Sequence, residues 1–336
     1  MDYSTFCAVS TLPRVDDTFP ALVAAFRREK QNASSALTDW QYIRRAAGTN
    51  DQKELHTWKG KASLLAWLRV MGAGRPMQSG GLRLPQSLID ASQQCYEQLF
   101  AALGERFETE SLNIVNALDF SLCSLVPNVR SILDYGAGYG RQAFLFSSLP
   151  GAQIFANDAV ETSYFSQYWV FKTLEFPLWE YFDHASSLQE FLVTGKEAKV
   201  IHLPTWRNDL IPDHSLDLVL FVWCLSEMSH DAAKVALETC IKKLKPGGFV
   251  YIRDEQHSHG WQMEKQFLLH GFLPVYQPWM LPLDGKMNGT PRLYRYLPQH
   301  LDKRNTAYAS LLFTAWRVRV FSSRQLLVRI RRALPF

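Results

Sequence analysis

The sequence predicts an α/β fold built on a parallel sheet, with helical additions at both ends. Three observations predict it. Short, β-rich apolar runs alternate with helix-length segments from about residue 129 onward, a glycine-rich loop closes the first run, and most of the chain before it has helical periodicity. Alternation of this kind marks a parallel sheet, because each strand must return through a crossover that is usually a helix.

Between residues 19 and 107 apolar positions recur at three-to-four spacing, as in 62–70 and 88–103, which predicts helices. Residues 71–85 interrupt the pattern with Gly72, Gly74, Pro76, Gly80, Gly81 and Pro85, and read as a loop. Buried strands are expected at 129–135, 152–156, 199–203, 216–223 and 248–253, with helices at 142–148, 163–174 and 230–244 between them. Two more strands, 272–277 and 292–297, flank a Pro- and Gly-rich connection at 278–291 and would form an antiparallel hairpin on the sheet edge. Two helices, 307–321 and 323–333, close the chain.

Composition bounds the function. The chain has 336 residues, 47% hydrophobic and 20% charged, enough for one large core with an accessory element. A net charge of +4 gives no argument for nucleic acid. Residues 301–336 hold eight basic side chains against the single acid Asp302, a local +7 that leaves −3 for the remainder. Five scattered cysteines without a C-x-x-C pair speak against a disulfide framework and a structural zinc. The first thirty residues do not read as a signal peptide, and no apolar stretch is long enough to span a bilayer. A cytoplasmic setting is the expectation.

The loop Asp134-Tyr135-Gly136-Ala137-Gly138-Tyr139-Gly140 follows a strand directly and precedes a helix, where backbone without side chains can turn tightly and approach a ligand. A dinucleotide fingerprint requires G-x-G-x-x-G, but Arg141 stands at its third glycine and an acid, Asp134, stands two residues before the first. The spacing fits a sulfonium nucleoside better than a pyrophosphate. Asp158, twenty residues beyond Gly138, is placed to accept both ribose hydroxyls; its alternative role is a cap on the next helix, with Glu161 completing the box.

These residues carry a family resemblance. The run 132–141, the acid Asp158, the approach 212–220 to the fourth strand and Lys245-Pro246-Gly247-Gly248 before the fifth resemble class I S-adenosylmethionine-dependent methyltransferases over residues 116–298. The Gly-Ala-Gly-Tyr-Gly-Arg form and Leu225-Ser226-Glu227-Met228 are similar to the sugar O-methyltransferase family of bacterial glycan and secondary-metabolite pathways. The resemblance implies a Rossmann-like seven-stranded methyltransferase sheet at 116–298, an N-terminal helical cap or acceptor region at 1–115 and a basic helical segment at 299–336. It implies S-adenosylmethionine as cofactor, held by Asp134, Tyr135, Gly136, Ala137, Gly138, Asn157, Asp158, Val222 and Trp223, while Trp206 or Arg207, just after the third strand, is placed to stack on the adenine and has an ordinary core or surface role as its alternative.

A hydroxyl acceptor benefits from a base that removes its proton as the new bond forms. Glu227 follows the fourth strand; Asp254, Glu255, His257 and His259 follow the fifth. Glu227 is the preferred base and His257 its rival, and each has the alternative of a solvated loop residue. Nothing in the spacing is diagnostic of a metal, and none is expected. The acceptor implied is a sugar, glycan or other small molecule, with N- or C-methylation as the nearest rival, then an NAD-dependent oxidoreductase or a non-catalytic binding subunit. The tail fits an amphipathic helix on an anionic membrane surface, and equally a basic helix packed on the core.

Overall fold

The computed structural model describes residues 18–38, 57–72, 84–106, 108–184, 195, 197–254, 266–267, 269–276 and 290–298. The expected tail helices, most of the loop at 71–85 and most of the connection at 278–291 lie outside these residues.

A single sheet organises the fold. Its strands are β1 (Ser131–Tyr135), β2 (Gln153–Asp158), β3 (Leu178–Glu180), β4 (Val200–Pro204), β5 (Leu216–Val222), β6 (Leu244–Asp254), β7 (Phe272–Tyr276) and β8 (Thr290–Tyr296). They lie in the order β3-β4-β2-β1-β5-β6-β8-β7. The sheet therefore has eight strands where seven were expected. The additional strand is β3, which pairs parallel with β4 through Leu178, Trp179 and Glu180. Three residues are too few to show a period of two, so this edge leaves no signal in the sequence.

β1 to β6 run parallel, and β8 and β7 form the expected antiparallel hairpin, with β8 inside against β6 and β7 at the edge. The segment 245–248, read as a turn before a strand, lies within β6, where the register against β5 shifts between Leu216 and Leu218. From β1 the chain builds outward through β2 to β4 on one side and through β5 to β6 on the other. The switch point of the sheet is thus between β1 and β5, whose carboxyl ends are where open α/β sheets bind ligands.

Helices cover both faces. Among the described residues, numbered in chain order, they are α1 (Pro20–Asn32), α2 (Ser35–Thr38), α3 (Lys61–Gly72), α4 (Gln86–Leu103), α5 (Glu110–Cys123), α6 (Ala143–Phe146), α7 (Glu161–Thr173), α8 (Tyr181–His184) and α9 (His230–Lys243). On one face Phe26, Leu64, Tyr96, Leu99 and Phe120 of the N-terminal helices share a core with Ile132, Ile154 and Leu218 of the sheet. Each such fully buried side chain contributes about 1.5–3 kcal/mol relative to exposure. α5 is continuous through residues 115 and 116. α7 lies between the sheet and the other helices, so every one of its residues but Lys172 is buried.

The opposite face is covered mainly by α9. Ala232, Ala236, Leu237 and Cys240 pack on Leu133, Val219 and Phe221. Ser229 caps this helix by accepting the Ala232 N–H at 3.1 Å, with Asp231 in its first turn and Lys242 and Lys243 in its last.

The cysteines need a correction. Cys123, Cys224 and Cys240 are free and buried, but Cys95 on α4 is disulfide-bonded, its partner lying outside the described residues. Sequence spacing carries no information about a pair closed by the tertiary fold. Among the described residues no helix is long and apolar enough to cross a membrane.

Candidate functional site

The loop after β1 turns on three left-handed glycines, Gly136, Gly138 and Gly140, with φ of 69°, 62° and 80°. A side chain at any of them would be strained. Gly140 is further constrained, since a Cβ there would come within 2.6 Å of the buried Phe171 ring.

The loop's amides are already committed. Gly136 N donates to Asn157 Oδ1 at 3.0 Å, Ala137 N to the Asn157 carbonyl at 2.9 Å, and Gly138 N to Asp158 Oδ2 at 3.2 Å. Asn157 is fully buried and its Nδ2 donates to Asn208 Oδ1 at 2.7 Å, so it braces the loop from behind. Three N–H groups occupied by a carboxamide, a carbonyl and a carboxylate cannot cradle a phosphate. The helix that follows has only four residues and little dipole to offer an anion.

Two buried aspartates flank the loop. Asp134 and Asp158 are each 2% exposed. Burial pushes Asp134 up to about 7, opposed by the Arg141 charge and reinforced by Asp119 and Asp158. Burial likewise raises Asp158 to about 7, against the hydrogen bonds from Val160 and Gly138 and the charge of Lys30. The buried Cys224 thiol, at the end of β5, is pushed well up first by burial and then by the charges of Asp254, Glu227, Asp134 and Asp158. The carboxyl ends of β1, β2 and β6 and the turn after β5 therefore set four carboxylates around the Cys224 thiol. Where these carboxyls are ionised they favour a cationic ligand over a pyrophosphate, with Lys30 beside Asp158 and Arg141 beside Asp134 as the nearby positive charges.

Asp158 Oδ1 also accepts from Val160 N at 2.9 Å, a contact of the helix-capping type. Glu161 forms no capping box. Its carboxylate takes a bidentate pair from Arg27 at 2.7 and 2.8 Å and the Trp58 amide at 2.8 Å, tying two N-terminal segments to the start of α7. Lys30 of α1 donates to the Ala159 carbonyl at 2.5 Å; its pKa is lowered by burial and supported by the charges of Asp158 and Glu161.

Trp206, in the turn after β4, packs on Phe26 of α1 with ring centroids 5.0 Å apart and donates Nε1 to Glu29 at 3.1 Å. Arg207 lies over the Tyr181 ring at 4.5 Å. Tyr135 points to the α9 face, its ring 5.4 Å from Phe221, so only its backbone faces the loop. Val222 is partly buried on the N-terminal helical face. Trp223 has a φ of 58°, a strained conformation for a bulky residue, held by the hydrogen bond its N–H donates to the Arg253 carbonyl at 2.8 Å and by the Arg253 guanidinium 5.7 Å from its ring.

Glu227 ends a 3₁₀ turn, Leu225–Glu227, immediately beyond this residue, and is partly buried. Asp254, weighed as a base, accepts both the Ser226 amide at 2.9 Å and the Ser226 hydroxyl. It pins the turn that presents Glu227. His257, Glu255 and His259 lie outside the described residues. Among the described residues no group of three His, Cys, Asp or Glu side chains is arranged to hold a metal.

Sequence reasoning missed Lys30, Arg27, Gln167, Asn208, Asp119 and Arg253. Gln167 donates to the Gly138 carbonyl at 3.0 Å from the middle of α7. Arg253 carried a signal, a charge ending a buried strand run, since such a charge requires a partner.

No protein family model matches the sequence. A 47-residue stretch is 38% identical to O-methyltransferase 3 of Dictyostelium discoideum, covering 14% of this chain and 11% of that protein's length. Among solved structures, a SAM-dependent methyltransferase from Aquifex aeolicus overlaps 53% of this chain and 87% of its own at 14% identity and a TM-score of 0.35. The 1,6-didemethyltoxoflavin-N1-methyltransferase of Burkholderia thailandensis, determined with S-adenosylhomocysteine bound, overlaps 66% and 94% at 15% identity, also with a TM-score of 0.35.

Proposed function

We propose that the chain is an S-adenosylmethionine-dependent methyltransferase acting on a hydroxyl of a sugar, glycan or other small molecule. The observation that supports this reading is the pair Asp134 and Asp158 at a glycine loop whose amides are taken by Asn157 and Asp158, with Glu227 and Asp254 near enough to raise the same Cys224 thiol. The same observation argues against the NAD-dependent alternative.

The residues present fit the cofactor. Asp134 and Asp158, protonating near 7 by themselves, regain full ionisation beside a positively charged amino acid and sulfonium. Asp158 is steered by Gly138 and Val160 and keeps lone pairs for a ribose diol. Gln167 Nε2 lies against Asp158 Oδ2 at 3.4 Å and donates to the Gly138 carbonyl at 3.0 Å, so α7 holds this carboxylate to the loop. Tyr135, Gly136, Ala137 and Gly138 contribute the backbone wall, Asn157 braces it, and Trp206, Val222 and Trp223 bound the adenine and methyl ends.

Bound S-adenosylmethionine supplies an electrophilic methyl on a sulfonium leaving group. The chain's part is positioning an acceptor oxygen in line and taking its proton. Glu227 takes that proton, from a turn fixed by the Ser226 contacts to Asp254. The experiment is calorimetric titration with S-adenosylhomocysteine, then labelled methyl transfer to a panel of sugars, glycans and amines. Affinity with transfer to hydroxyls is the expected result. No binding at millimolar ligand would overturn the cofactor, and transfer to amines alone would overturn the acceptor class. The +7 tail, 301–336, lies outside the described residues; we assign it to an anionic membrane surface, which equal sedimentation with anionic and neutral vesicles would refute.

A further inference from the structure

Behind the glycine loop lies a buried polar assembly that makes no direct use of the proposed cofactor. Its hub is Asp119 on α5, 1% exposed. One carboxylate oxygen accepts Arg253 Nε at 2.6 Å and the Tyr251 hydroxyl at 2.5 Å. The other accepts Arg253 Nη2 at 2.8 Å, Arg141 Nη1 at 3.1 Å and Gln142 Nε2 at 3.0 Å. Burial opposes ionisation here, yet the Arg253 and Arg141 charges hold the carboxyl at about 2. Two guanidiniums therefore meet on this one carboxylate.

The two arginines belong to different walls of the site. Arg141 immediately follows Gly140, so it anchors the end of the loop after β1. Arg253 lies near the end of β6, where its carbonyl accepts the Trp223 amide and its guanidinium faces the Trp223 ring. The accessory helices hold the same assembly: Asn116 Oδ1 accepts from Arg141 at 2.6 Å, Asn116 Nδ2 donates to Ser92 Oγ at 3.0 Å, and Tyr96 shares a hydroxyl hydrogen bond of 2.6 Å with Tyr139 of the loop.

We propose that Asp119 is a positioning residue that fixes the glycine loop and the Trp223 turn at a set separation, making the N-terminal helices part of the cofactor site. Without its charge, the hydrogen bonds that hold Arg141 and Arg253 to one carboxylate weaken, and the two walls lose their common anchor. The proposal rests on the cofactor reading for its functional consequence, but its structural consequence stands alone.

The test uses the full chain carrying Asp119→Asn, which keeps shape and removes charge. Two quantities are read: amide hydrogen exchange of residues 136–142 and 223–227 without ligand, and calorimetric affinity for S-adenosylhomocysteine. Tyr164→Phe, which removes the buried 2.6 Å bond to Glu180 at the far edge of the sheet, is the control for general loss of stability. Asp119→Asn is expected to speed exchange in both segments at least tenfold beyond that control and to weaken binding about tenfold or more. Arg141→Gln, changing a side chain 14% exposed, gives the same two effects on the loop segment if Asp119→Asn does not fold. Exchange within twofold of the Tyr164→Phe control in both segments would overturn the proposal. Wild-type protein that shows no affinity would overturn the cofactor reading instead, leaving exchange to decide the role of Asp119.

Discussion

At the scale of single residues, Asp158 carries two roles that sequence reasoning set against each other. Its Oδ1 does accept an amide two residues on, while its Oδ2 reaches across to the glycine loop. The capping contact therefore does not compete with a ligand role; it orients the carboxylate. A charge-assisted hydrogen bond to a ribose hydroxyl contributes on the order of 1.5–3 kcal/mol. Asp158→Ala is expected to weaken S-adenosylhomocysteine binding at least about tenfold in calorimetry, and a change under twofold would return Asp158 to a purely structural role. Glu227 makes a kinetic prediction. Glu227→Gln should lower kcat roughly a hundredfold, as loss of a general base does, with cofactor affinity little changed. If His257→Ala shows that pattern while Glu227→Gln stays active, the base is His257.

At the scale of elements, what the sequence reveals follows signal length. β1, β2, β4, β5 and the terminal hairpin are legible because each is a run of apolar, β-rich residues bounded by turn formers. The three-residue β3 is not, and neither is the inclusion of 245–248 in β6, because a register shift is decided by the neighbouring strand. The candidate site divides the same way. Gly136, Gly138 and Asp158 sit at fixed distances along the chain from one another and could be found by spacing. Lys30, Glu161 and Asp119 act through partners as many as 134 residues away, and no local pattern encodes such contacts. Helix and loop also constrain each other through Gly140. Its Cβ would meet Phe171 of α7, and its φ of 80° excludes an unstrained side chain. Gly140→Ala should cost at least about 2 kcal/mol from the left-handed backbone and overpacking together. Urea unfolding should show a lower midpoint with an unchanged slope; a midpoint equal to wild type would mean that loop and helix are not in rigid contact.

At the scale of the whole molecule, stability and ligand binding should respond to pH in opposite directions. Asp134 and Asp158 hold their protons up to about 7 in the folded protein, while the unfolded chain releases them near 3.8. Between those values the folded state binds more protons, so the stability they contribute is present at the acidic end and is lost as pH rises through 7. Asp119 has the reverse sign, since its folded pKa of about 2 gives stability that is present above 3.8 and disappears only as pH falls below it. The ligand-free protein should therefore gain melting temperature from pH 8 down to about 5. A cationic ligand needs the two carboxylates ionised, so its affinity should fall below pH 7 by up to roughly tenfold per unit for each that must lose its proton. Calorimetry of S-adenosylmethionine in buffers of different ionisation enthalpy would detect the proton release at pH 6 and its absence at pH 8.5. Asp134→Asn separates the two effects. It removes a buried charge at pH 8 and should raise the melting temperature of the free protein there, while it weakens S-adenosylmethionine binding. A variant that loses stability and keeps affinity at pH 8 would show that Asp134 is a structural anion, with the negative field of the site lying elsewhere.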